Sequence, residues 1–150
     1  MKEAAELFSD LKLSDSQKKI INTAGKIGRE KLAPRAAQID REACNPLENY
    51  DDLRECGIHS MCVPERFGGL GHDYATYMMV SSELGRHCGS TALSFNMHAS
   101  TTLWIGDMLD GLDLSPEQKT VMESLRALHY KRIVEDGALY AQTFSEGNMA

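Results

Sequence analysis

From Cys88 to Gly106 the chain carries no formally charged side chain. A membrane span is excluded for this stretch, because Ser90, Thr91, Ser94, Asn96, His98, Ser100, Thr101 and Thr102 are too polar for a hydrocarbon core. The segment has to be buried in protein. Buried hydroxyls and amides need hydrogen-bond partners, so two arrangements remain open: a helix packed centrally with its polar groups bonded to neighbouring turns, or a helix forming the wall of a ligand cavity.

The remainder sets the frame for that helix. At 150 residues the chain is about one domain and can bury a core of its own. With 42% hydrophobic and 25% charged residues and no low-complexity tract, it falls outside the disordered and fibrous classes. A net charge of -6 repels phosphate backbones and anionic lipid surfaces, which argues against nucleic acid as a partner. Cys44, Cys56, Cys62 and Cys88 form no Cys-x-x-Cys pair and are expected to be reduced thiols in a cytoplasmic setting. The five histidines show no metal-ligand spacing, so no metal site is expected. The acidic start, Met1 to Glu6, lacks the apolar core of a signal peptide.

Local signals predict about five main helices. Ser14 with Gln17 reads as a capping box opening a helix with Ile20, Ala24 and Ile27 on its apolar stripe. Leu32, Ala36 and Ile39 lie about 100° around the axis from that stripe, and Pro34 lacks an amide donor, so a kink or break is expected near Ala33 and Pro34. Asn45 as cap, Pro46 at the first helical position and Gly57 as stop delimit a second helix with Leu47, Tyr50 and Leu53 inward. Met61 to Pro64 reads as extended, and Gly68-Gly69-Leu70-Gly71 as a tight turn. Asp73 caps a helix carrying Tyr74, Tyr77, Val80 and Leu84, and the charge-free helix follows through Met108. Ser115, Pro116 and Gln118 open the last helix, with Val121, Leu125 and Leu128 on its apolar face, and Asp136-Gly137 close it. Ala138 to Phe144 drops the helical period and is β-compatible, a strand with no partner in an otherwise helical chain.

Chemistry is not legible from spacing. The glycine loop lacks a P-loop lysine, His87 and Cys88 point in different directions on a helix, and no carboxylate pair stands apart from solvated faces. No catalytic residue is nominated on these grounds.

The run Met61-Cys62-Val63-Pro64-Glu65-Arg66-Phe67-Gly68-Gly69-Leu70-Gly71, followed by Ser82-Glu83-Leu84-Gly85-Arg86, closely resembles the amino-terminal helical domain of the acyl-CoA dehydrogenase family. Arg29 to Pro34, Ile39 to Glu42 and Leu53 to Ile58 resemble it as well, in order and at its usual spacings. The resemblance implies an all-α amino-terminal domain over residues 1–137, with residues 138–150 as the first strand of a middle β-barrel domain otherwise missing from the chain. It also implies an FAD-dependent oxidoreductase, a homo-oligomer when full length, that converts acyl-CoA to trans-2-enoyl-CoA. By position it assigns Ala92, Leu93 and Asn96 to the acyl pocket, with His98 and Ser100 beside them, and Gln142, Phe144 and Ser145 to the flavin edge. Gly147 stands where the family has proline. The family's catalytic glutamate and most flavin contacts lie beyond this length, so the chain is expected to be a fragment or truncated product, inactive alone. A flavin-dependent monooxygenase of the same fold and a non-catalytic helical interaction module are the competing expectations.

Overall fold

The computed structural model describes residues 4–108 and 110–141. Among these the regular structure is helical: α1 (Asp15–Ile27), α2 (Ala33–Glu42), α3 (Leu47–Glu55), α4 (Tyr74–Gly85), α5 (Gly89–Leu103) and α6 (Pro116–Val134). Short 3-10 turns occupy Ala4–Phe8 and Glu65–Phe67. Wider π turns occupy Gly28–Leu32 and Trp104–Met108.

Both capping boxes form. Ser14 Oγ accepts from the Gln17 amide at 3.2 Å while the Ser14 amide donates to Gln17 Oε1 at 2.9 Å. Ser115 and Gln118 repeat the arrangement at 3.3 and 2.9 Å. Pro34 does not break the path from α1 into α2. The π turn ahead of it widens the helix by one residue, the Ala33 amide bonding back to Gly28 O, which accommodates the missing donor and the crowding of the proline ring. Of the expected kink or break, no break forms: the helix continues through a π bulge.

Three further local expectations are corrected. Pro46, not Asn45, occupies the cap position of α3; it is buried, and its carbonyl accepts from the Asn49 and Tyr50 amides. Leu47 faces outward, leaving Tyr50 and Leu53 as the buried stripe. Met61 to Val63 coil through successive turns, Met61 N to Ile58 O and Val63 N to Ser60 O, rather than running extended.

The stop signals hold. Gly57, at φ +81°, turns the chain out of α3 through the left-handed region, and Ile58 is fully buried behind it. In the glycine loop the decisive position is Gly69. A Cβ there would lie 2.1 Å from Val63 O and 2.6 Å from Val63 C, so only a residue without a side chain lets the loop close over the 61–64 turns. Gly71 N to Val63 O at 2.9 Å and His72 N to Met61 O at 2.8 Å fasten it.

α4 packs chiefly against α5 and α1. The main core gathers Ile20, Ile21, Ala24, Tyr77, Val80, Leu84, Phe95 and Ala99 from these helices, with Leu32, Leu53, Ile58 and Met61 from the first π turn, α3 and the turns after it. Each large member contributes about 1.5–3 kcal/mol by leaving water. A smaller cluster of Val63, Tyr130 and Ile133, with Phe67 stacked obliquely on Tyr130 at 5.1 Å, fastens α6 to the glycine loop.

α6 is inverted relative to its apolar pattern. Val121, Leu125 and Leu128 are exposed, and Arg126, Tyr130 and Ile133 are buried. The Arg126 guanidinium donates to the Ile105 and Gly106 carbonyls at 3.1 and 3.2 Å, satisfying the end of the second π turn. Its bonds to Asp110 and Glu123 complete the site.

Candidate functional site

The charge-free segment becomes α5, and its two faces do different work. Thr91, Ala92, Phe95, His98, Ala99, Thr101, Thr102 and Leu103 are buried. The hydroxyls are satisfied locally: Ser94 donates to Ser90 O, Ser100 and Thr101 to Met97 O, and Thr102 to His98 O, at 2.8 to 3.1 Å. Thr91 accepts from Asn49 Nδ2 at 2.7 Å and donates to Cys88 Sγ. The helix therefore hides its polarity in its own backbone, as in the first of the two arrangements left open by the sequence.

The opposite face remains open. Ser90, Leu93, Met97, Ser100 and Trp104 recur at three- and four-residue intervals along one stripe. Leu93 is 68% and Trp104 39% exposed, so the stripe is apolar, uncharged and accessible. At its flank lies a cleft of about 280 Å³ lined by Asn45, Tyr50, Ser94, Met97 and the segment Leu139–Ala141. Larger clefts lie elsewhere, about 370 Å³ between α2 and α3 and about 540 Å³ beside the amino-terminal turn. Neither touches α5, and size alone does not mark a site.

The residues assigned to the acyl pocket separate on this helix. Leu93 lies on the open stripe. Ala92 is turned inward toward Gly85 of α4. Asn96 is half-buried at the margin, its amide oxygen accepting from the Tyr77 hydroxyl. Burial raises Tyr77 to about 12, so it stays a neutral donor. Ser100 sits partly buried on the stripe, and His98 lies on the inner face. Ser94, Met97 and Tyr50, which line the cleft, were missed from the sequence; the heptad-like recurrence of Leu93, Met97, Ser100 and Trp104 was the available signal. Gln142, Phe144 and Ser145 lie outside the described residues.

The segment leading toward them is seated on α5 by histidines. Ala138 N donates to Arg132 O at 3.0 Å, and Ala138 O accepts from His59 Nε2 at 3.2 Å. Tyr140 N donates to His98 Nδ1 at 3.2 Å, and the Tyr140 hydroxyl meets His129 Nδ1 at 2.8 Å. The His59 and His98 rings stack at 4.2 Å with 10° between planes. Residues 138–141 have no regular secondary structure, so the expected strand finds no ladder among the described residues.

Among the described residues no group of three His, Cys, Asp or Glu is placed to hold a metal, and no helix is long and apolar enough to cross a membrane.

Comparison with known proteins places this architecture. The family model described as Acyl-CoA dehydrogenase, N-terminal domain, matches residues 14–108. The chain is 29% identical over 103 residues to the human mitochondrial short-chain specific acyl-CoA dehydrogenase, covering 69% of this chain and 24% of that protein. It is 35% identical over 99 residues to cyclohex-1-ene-1-carbonyl-CoA dehydrogenase of Syntrophus aciditrophicus (strain SB), covering 66% and 23%. It is 33% identical over 90 residues to the mitochondrial isovaleryl-CoA dehydrogenase of Pongo abelii, covering 59% and 21%. The chain thus spans about a quarter of the length of these curated relatives. A matched helical domain, joined to the order of helices and the buried charge-free α5, makes the chain a member of the acyl-CoA dehydrogenase family, of which it carries the amino-terminal domain.

Proposed function

We propose that this chain supplies the acyl-pocket wall and part of the flavin edge of an FAD-dependent enzyme that oxidises an acyl-CoA thioester to its trans-2-enoyl form. The single observation that carries the reading is the open, uncharged stripe of α5, on which Leu93, Met97 and Trp104 can receive an apolar acyl tail without an ion being desolvated. When bound, FAD supplies the acceptor for the hydride that leaves the acyl chain.

The chain's own residues bind, orient and exclude water. The stripe shields the tail, Asn96 is held at the margin by the neutral Tyr77 hydroxyl, and Ala138–Tyr140 directs the chain toward Gln142, Phe144 and Ser145, which we assign to the flavin edge. Residues 138–150 begin the β domain in this reading, and 1–137 form the helical domain. No general base is assigned among these residues, and the proposal includes that the isolated chain is inactive. A homo-oligomer and a reducing, cytoplasmic setting complete the proposal, the four cysteines being thiols.

Leu93→Glu tests the wall. Its side chain is exposed, so folding should be unchanged, while a carboxylate on the wall would have to be desolvated by the tail. In the FAD-loaded protein that contains this chain, KM for acyl-CoA should rise by roughly thirtyfold, with the flavin spectrum intact. An unchanged KM would remove α5 from the pocket.

One observation favours a second reading, a helical interaction module without catalysis: Val121, Leu125 and Leu128 form an exposed apolar row on α6. Flavin titration of the protein containing this chain separates the two.

A further inference from the structure

We propose that His98, backed by the stacked His59, is a positioning residue that fixes Ala138–Tyr140 against α5 only while its ring is neutral, so that protonation undocks the segment. The consequence for catalysis rests on the reading above, in which this segment delivers residues 142–145 to the flavin.

Hydrogen-bond roles fix the protonation state of His98. His98 Nε2 faces His59 O at 2.9 Å, and a carbonyl can only accept, so Nε2 carries the proton. His98 Nδ1 faces the Tyr140 amide at 3.2 Å, and an amide can only donate, so Nδ1 is bare. Both partners are backbone groups whose roles cannot change. The ring is therefore held as the neutral Nε2–H tautomer. A proton arriving at Nδ1 would set donor against donor and break the Tyr140 contact. His59 Nε2 likewise donates to Ala138 O, so the two rings together hold both ends of a three-residue segment.

Beyond the carbonyls at His59 O and Ala138 O, burial outweighs what the surroundings offer a charged ring. Both histidines are buried, at 3% and 1% exposure. α5 brings no formal charge, the last turn of α3 brings Arg54, and α6 brings His129 by way of the Tyr140 hydroxyl. His98 and Arg54 both repel a protonated His59. Burial pushes both rings below the ordinary histidine range.

The test is amide exchange of Tyr140 in the 150-residue chain, corrected for intrinsic chemistry, from pH 8 to pH 4. Protection should fall roughly tenfold or more on acidification, the scale of one buried hydrogen bond. His98→Asn keeps an acceptor where Nδ1 stands but cannot take a proton, so its Tyr140 protection should not follow pH. A flat wild-type profile, or an Asn variant that falls with it, overturns the proposal. Should the variant not fold, the wild-type imidazole nitrogen shifts of His98 and the Tyr140 amide shift must titrate with one midpoint, and two separate midpoints overturn it. None of these readouts involves FAD. A pH-linked latch in a protein that never binds FAD would end the flavin reading and leave the latch standing, whereas FAD binding with a flat Tyr140 profile would do the opposite.

Discussion

Replacing Gly69 by alanine puts the closure of the glycine loop to the test. The added methyl would meet Val63 O at 2.1 Å, Val63 Cβ at 2.4 Å and Val63 C at 2.6 Å, none of which is the far end of a flexible side chain. Val63 is fully buried and its carbonyl is engaged by the Gly71 amide at 2.9 Å, so the loop has to lift instead. Lifting gives up that bond and His72 N to Met61 O, each worth about 1 kcal/mol net. Partial exposure of Val63 adds about 1 kcal/mol more. The expected destabilisation is about 3 kcal/mol, roughly 10 °C in Tm for a chain of this size. Thermal and urea unfolding followed by far-UV circular dichroism measures it. Gly89→Ala is the internal control: it opens α5 with no atom within 4 Å of the added Cβ, and its stability should stay level or rise by up to about 1 kcal/mol. Equal midpoints for Gly69→Ala and Gly89→Ala would refute the steric account.

Acid should weaken the fold through the histidines. His59 is lowered by burial, and then by His98 and Arg54, to about 4 from 6.5, so its neutral form is favoured on folding; that stability is complete above the unfolded value and is lost as pH falls toward 4. At pH 5 the loss relative to pH 8 should be about 2 kcal/mol, read from urea midpoints, and midpoints that hold steady to pH 5 would contradict it. Arg126→Met keeps the aliphatic stem but leaves the Ile105 and Gly106 carbonyls without their donor, and should cost about 2 kcal/mol. Asp110 and Glu123 are 64% and 54% exposed, so Asp110→Asn should cost far less, and a comparable loss in the two variants would shift the role from carbonyl capping to ion pairing.

What the sequence conveyed about the fold was local. Ser14 with Gln17, Ser115 with Gln118, Asp73 and Gly57 act within one turn of themselves, so their roles could be read without knowing any neighbour. Where reading failed, a distant group decided. Val121, Leu125 and Leu128 form a regular apolar row, yet α6 turns it outward because Arg126 is drawn in by carbonyls at the end of the Trp104–Met108 turn and Tyr130 by Phe67. At Pro34 a kink or break is expected because periodicity assumes a uniform helix, and one wide turn takes the place of the break. The site was legible as a segment but not as a face. The absence of charge from Cys88 to Gly106 announced burial, whereas the open side of α5 depends on where α4 lies against it.

That dependence links the outer stripe of α5 and the segment Ala138–Tyr140 mechanically. Leu93, Met97 and Trp104 look outward from α5, while His98, next to Met97 in the chain, looks inward and holds Tyr140. A helix is stiff over this length, advancing about 1.5 Å per residue with its backbone bonds formed. Wall and clamp therefore cannot shift independently. If α5 slides or rotates against α4, the apolar stripe and the anchored backbone of Tyr140 move as one body. The spacing between the outer stripe and Tyr140 is then set by α5 through His98, with His59 and His129 holding the same segment. A helix that met its hydroxyls' needs from its neighbours would tie its rotation to theirs. α5 bonds Ser94, Ser100, Thr101 and Thr102 to its own carbonyls, while Thr91, Asn96 and His98 bond to neighbouring elements and so help to fix its angle.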